Sequence, residues 1–187
     1  DGVTLNGDVY FPTAAGVYSF LDNFQSNETI YIDSGQFSTG GFNVTAGSID
    51  SYTSATRTID ISNSTVTLTG TGETWYMNPT TLTFTSTGSD ININHANTNL
   101  SIFQGGGLAY ATLRLYNLQT EIRDDNTFEV LYLNPGITAN FETGSEQTFD
   151  SLNANGTCAS PITIQSTSNT SPPGNFVQTG TDTLYVN

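Results

Sequence analysis

Ile59-Asp-Ile-Ser-Asn-Ser-Thr-Val-Thr-Leu68 alternates apolar and polar residues on either side of a Ser-Asn-Ser break. Alternation puts every second side chain on one face, which is the period of a strand and not the 3.6-residue period of a helix. The stretch therefore reads as two short strands joined by a turn. The same pattern returns at Ile30-Tyr-Ile32, Leu82-Thr-Phe84, Ile91-Asn-Ile93, Leu113-Arg-Leu115, Leu131-Tyr-Leu133 and Ile162-Thr-Ile164. No segment carries a convincing helical period.

The strand-turn-strand unit itself recurs. It begins at Ile30, Ile59, Leu82, Leu113 and Leu131, with a partial copy at Ile162, at spacings of 18 to 31 residues. Such spacing matches one coil of a parallel β-solenoid, in which no coil buries its inner face alone and stacking makes a continuous core. Gly, Asn and Ser after each step supply the corner residues. The alternative is an antiparallel β-sandwich, which has similar strand and turn counts. Hairpin text is scarce, however, with Asn-Gly only at Asn6-Gly7 and Asn155-Gly156, and this favours the solenoid. The expected inward residues are Ile30, Ile32, Ile59, Ile61, Leu82, Phe84, Leu113, Leu115, Leu131, Leu133, Ile162 and Ile164. One domain over 1–187 is expected: an N-terminal coil or cap at 1–28, a repeat core at 29–165, and a loop with a closing strand at 166–187.

Composition narrows the partners. The 187 residues carry 17 Asp plus Glu against 3 Arg, no Lys, and a net charge of −14. Nucleic-acid binding needs clustered cations, so nucleic acids and anionic membranes are poor partners. The missing lysines exclude Schiff-base catalysis and a P-loop. Thr, Ser and Asn make up roughly a third of the chain, while 11% aromatic residues provide core material, against the low-hydrophobicity signature of disorder. Cys158 is the only cysteine, so no intrachain disulfide forms. No apolar run approaches the ~18–20 residues of a membrane-spanning helix. The chain opens at Asp1-Gly-Val3 without a basic or hydrophobic leader, as in a mature product or an excised fragment. Its six Asn-x-Ser/Thr sequons are readable either as glycosylation sites or as polar loops.

Several pieces carry a family resemblance. The run Arg57-Thr-Ile-Asp-Ile-Ser-Asn-Ser-Thr-Val-Thr-Leu-Thr-Gly70, then Trp75 and Leu82-Thr-Phe84, is similar to a recurrent module of large secreted bacterial surface proteins and of environmental phage proteins. Phe103-Gln-Gly-Gly-Gly-Leu-Ala-Tyr110, Asp125-Asn-Thr-Phe128, Phe141-Glu-Thr-Gly-Ser-Glu-Gln-Thr-Phe149, Asn153-Ala-Asn-Gly-Thr157 and Pro161-Ile-Thr-Ile164 extend the match. The resemblance covers about residues 29–165. It implies a right-handed parallel β-helix in an adhesin-like or appendage protein, and it transfers no catalytic residues.

Polysaccharide cleavage by elimination needs a base and cationic help. The candidates are Arg57, Arg114, Arg123 and His95, and they read better as outward-facing arginines and a surface-turn histidine. Glu121, Asp124, Asp125, Glu129, Glu142 and Glu146 form an acidic neighbourhood, but charge clusters are usually solvated faces; no enzymatic activity is expected. Asp124-Asp125-Asn126 is the best local text for Ca²⁺, the one cofactor left open, although it lacks the alternating loop of an oxygen-ligand site. Trp75-Tyr76 is a candidate platform for surface glycans, with packing inside the coil as the competing role. Thr65-x-Thr67-x-Thr69 and Thr81-x-Thr83-x-Thr85 suggest an ice-binding face, provided that they recur at one place in the coil. The expected role is a structural or adhesive module of an extracellular filament, cell-surface adhesin or virion appendage. Its partners would be copies of itself or adjacent modules, met through edges at Val3, Leu5, Leu184 and Val186.

Overall fold

The computed structural model describes residues 3–95, 98–168, 173–180 and 185–186, with residues 3, 185 and 186 described by their backbone. Every described element is a β-strand, and the strands pair in parallel into stacked sheets that form a β-solenoid of about 7 turns. Strands Arg57–Asp60 and Leu82–Thr85, a test case for the sandwich alternative, pair in parallel with Ile59 opposite Phe84.

Three faces organise the coils. The first sheet holds one continuous register, Val3, Phe24, Val44, Val66, Ile91, Leu113, Leu131 and Leu152, each opposite the next. Successive members lie 18 to 25 residues apart. The second sheet runs Val9, Ile30, Ile49, Trp75, Phe103, Ile122 and Phe141 in the same manner. The third sheet has four strands, Val17–Ser19, Gly35–Ser38, Arg57–Asp60 and Leu82–Thr85. It ends there because Ala109–Leu115, Thr127–Leu133 and Glu146–Ala154 are single long strands that turn the corner into the first sheet. The turn is visible at Tyr110-Ala111, where two successive residues are buried and the alternation breaks.

The core is a stack of like on like. Ile30, Ile32, Ile59, Ile61, Leu113, Leu115, Leu131 and Leu133 are buried, while Leu82, Phe84 and Ile162 pack against the core partly covered. Ile164 departs from expectation: its strand, Thr163–Ser166, lies at the last rung of the second sheet and leaves it exposed. Phe84, Tyr110 and Phe128 continue as an aromatic column, at centroid separations of 5.1 and 5.7 Å. The segment expected as a coil or cap at 1–28 holds a complete coil, since Val3–Leu5, Val9–Phe11 and Val17–Ser19 each pair with the coil above. Near the other end, Asn175–Gln178 and Tyr185–Val186 both pair parallel to Glu146–Ala154.

Candidate functional site

Where successive second-sheet strands end, the chain turns the same corner five times and leaves a groove of about 530 Å³ running along the solenoid. Tyr52 forms one end, after strand Ser48–Ser51, followed by Asn78 and Pro79 after Gly72–Met77. Gln104 ends Ser101–Gln104, and Gly106 and Gly107 follow it; Asp124 and Asp125 follow Gln119–Arg123; Glu142 and Thr143 follow Thr138–Phe141. Residues between 52 and 145 thus line one groove although each coil contributes only one to four of them. The five corners span four inter-strand steps, about 19 Å at ~4.8 Å per step.

The glycines make this space. Gly106 and Gly107 both have positive φ, 66° and 69°. A Cβ on Gly106 would lie 2.7 Å from the Met77 carbonyl oxygen and 3.1 Å from Pro79 Cδ. Only glycine fits there, and the coil floor stays low.

The acidic residues are fixed by backbone amides of neighbouring coils. Gly106 N–H donates to Asp124 Oδ2 at 2.8 Å, Asp124 N–H to Glu142 Oε2 at 2.9 Å, and Glu146 N–H to Asp125 Oδ1 at 2.7 Å. Asp124 itself takes a left-handed conformation, φ 65°, which Asp tolerates better than most side chains. These bonds use one lone pair of each carboxylate, and an ionised carboxylate offers about four.

The calcium text separates in three dimensions. Asn126 turns inward, 1% exposed, where its Nδ2 donates to the Arg123 and Asp124 carbonyls and to Gln147 Oε1. Among the described residues no three His, Cys, Asp or Glu side chains converge as a metal site. Asp124 and Asp125 therefore act as acceptors for neighbouring coils, and Asn126 does not join them.

The aromatic pair also separates. Trp75 is fully buried, stacked on Phe103 at 5.9 Å, with Nε1–H donating to the Tyr110 hydroxyl at 3.0 Å; that hydroxyl donates to the Gly105 carbonyl at 2.7 Å. Its ring has no face for a ligand, which corrects its candidacy in favour of packing. Tyr76, the next residue, points outward and stacks on Tyr52 at 4.0 Å and 7°. Burial, then its hydrogen bond with Tyr52, push the Tyr76 phenol up to about 12.

The remaining candidates sit apart. Arg57, expected on the surface, is 1% exposed. Its Nε donates to Ser51 Oγ at 2.5 Å, and its terminal nitrogens to the carbonyls of Ala55, Thr80, Ser51 and Asn78. Arg114 does face outward, 2.9 Å from Asp90 and over the Tyr132 ring. Arg123 pairs with Glu121 at 2.7 Å and reaches Glu73 at 3.7 Å. His95 is buried instead of lying on a surface turn, its N–H donating to Asn117 Oδ1, and burial lowers its pKa below 6.5. The two Thr-x-Thr runs fall on different sheets: Thr67 faces Thr45 and Asn92 in the first, whereas Thr83 faces Thr58 in the third. They build no common face. Leu5 is exposed; Val3 and Val186 lie in paired strands; Leu184 lies outside the described residues.

Of the groove, Tyr52, Gln104 and Gly106 escape a reading by local motif. The only textual sign is Gly105-Gly106-Gly107 at a strand end. Fold and groove together define the class, a parallel β-solenoid with an acidic lateral cleft. Comparison with protein-family models, curated proteins and solved structures finds no match.

Proposed function

We propose that this chain is a structural or adhesive module of an extracellular assembly, a segment of a filament, cell-surface adhesin or virion appendage that continues end-on into copies of itself or adjacent modules. The observation carrying this reading is where apolar surface remains. Central rungs bury their inward residues almost completely, whereas in the first coil the inward Leu5 is exposed and Val9, Phe11 and Tyr18 are only partly covered; Val17, on the outer face of the same coil, and Leu21, after it, are 73% and 86% exposed. At the other end Ile164, Phe176 and Val177 are exposed. Among the described residues, Val3–Leu5, Val9–Phe11 and Val17–Ser19 also pair on one side only. Open ladder edges beside exposed apolar residues are what a stacked neighbour covers.

The test is sedimentation of the full chain at rising salt beside a Val17→Lys/Leu21→Lys variant. Both positions are exposed, so the fold tolerates the charges. Assembly should strengthen with salt, because a net charge of −14 opposes approach until the Debye length shortens to about 8 Å at 0.15 M. The double variant should stay monomeric. A wild-type chain that stays monomeric at every salt concentration overturns the reading.

A further inference from the structure

We infer that the lateral groove is a binding site for a short, uncharged oligosaccharide lying along the solenoid axis across the corners from Tyr52 to Thr143. The inference is separate from end-on assembly, because the groove lies on the flank and none of its residues belongs to the terminal coils.

Shape comes first. The cleft is about 530 Å³ and extends over five corners, which suits a chain of several rings better than one small molecule. Gly106 and Gly107 line it without side chains; a Cβ on Gly106 would lie 2.7 Å from the Met77 carbonyl oxygen, and one on Gly107 3.3 Å from that of Asp125.

Chemistry then selects the ligand. Asp124, Asp125 and Glu142 are each anchored by a backbone N–H, so they are held in place with acceptor capacity left over. Acceptors in a row call for a ligand with many donors, and hydroxyl groups fit that demand. The Gln104 amide supplies both donor and acceptor beside them. At one end Tyr52 stacks on Tyr76 at 4.0 Å and remains 53% exposed. A ring held rigid by stacking offers a flat apolar surface to the C–H face of a sugar. Met77 is 1% exposed, which leaves Pro79 as the other apolar side chain at the surface of the cleft.

Electrostatics excludes one class of sugar. Arg57 is consumed by carbonyls, Arg114 by Asp90, and Arg123 by Glu121 and Glu73. With the arginines engaged elsewhere and three carboxylates in the cleft, uronic or sialic acids are repelled. A metal ion is disfavoured as well, since each carboxylate turns to a different amide and no three converge among the described residues.

The experiment is calorimetric titration of the full chain with short malto-, cello- and chito-oligosaccharides, and with oligogalacturonate, a lysine-rich peptide and Ca²⁺ alone. Saturable binding of at least one neutral set is expected. Tyr52→Ala should weaken it by about tenfold or more, the scale of losing one buried aromatic face, while Tyr52→Phe retains it. Asp125→Asn keeps an oxygen for the Glu146 amide and removes the charge, and should weaken binding by about tenfold. Thermal unfolding of each variant should match the parent. Absence of binding to every neutral set overturns the inference. So does binding that survives Tyr52→Ala, or binding confined to oligogalacturonate, the peptide or Ca²⁺. Oligomer formation in the salt series bears only on end-on assembly.

Discussion

Arg57 is a buried cation whose five N–H groups all meet neutral oxygens, four of them carbonyls from two successive coils. Burial lowers its pKa below the usual guanidinium range, with the Asp33 charge partly offsetting this; a guanidinium still stays charged at any ordinary pH. Its role is that of a pin between the corner at 51–55 and the corner at 78–80. Lysine offers three donors and no planar fork, so Arg57→Lys leaves carbonyls without partners. We expect a loss on the order of 3 kcal/mol in urea unfolding, at about 1–3 kcal/mol per orphaned group. Arg114→Lys, on the outer face, should stay within about 1 kcal/mol. His95 gives a pH signature. Its folded pKa is lowered from 6.5, chiefly by burial. Between that lowered value and 6.5 the unfolded chain binds more protons, so stability rises with pH through this window. It is complete above 6.5 and is lost on acidification. Unfolding free energies measured on the acid side of pH 6.5 should show this slope, and His95→Gln should flatten it.

At the scale of elements, the inward rows carry the stability. Ile61 is 1% exposed, and Ile61→Ala should cost about 2–5 kcal/mol in chemical unfolding. Tyr110→Phe removes a hydroxyl that accepts from Trp75 and donates to the Gly105 carbonyl. Both partners are then stranded in the core, at a cost of about 1–3 kcal/mol, and near-ultraviolet circular dichroism should report the altered indole environment. Strand type was legible from alternation, because inward residues at i and i+2 are a direct image of the pleat, and parallel pairing from the recurring unit and the scarcity of hairpin text. Coil length was less so. The recurring strand-turn-strand text falls on different corners: Ile30–Phe37 joins the second and third sheets, Ile59–Val66 the third and first, and Leu113–Ile122 the first and second. Every corner demands the same residue types, so the text repeats without marking one place in the coil. Arg57 misled for a related reason. Its inward position follows the same alternation as Ile59, but charge alone argues for the surface.

At the scale of the molecule, the groove was illegible because its residues are scattered from 52 to 145 and become neighbours only through stacking. No local motif encodes that Tyr52 and the corner of Gln104 line one groove. The core, by contrast, is one-dimensional: each coil touches only its neighbours, and stability adds along the axis. That geometry also sets a mechanical response. Backbone hydrogen bonds between coils point along the axis, and successive coils are linked through chain that runs around the circumference. Tension applied through the two ends therefore peels rungs one after another and never shears a whole sheet at once. Each released coil of 18 to 25 residues adds about 60–85 Å of contour at ~3.4 Å per residue. Single-molecule force spectroscopy should record a regular saw-tooth of that period in place of one large rupture. A tether built this way lengthens in small increments under load and absorbs work at every step before it fails.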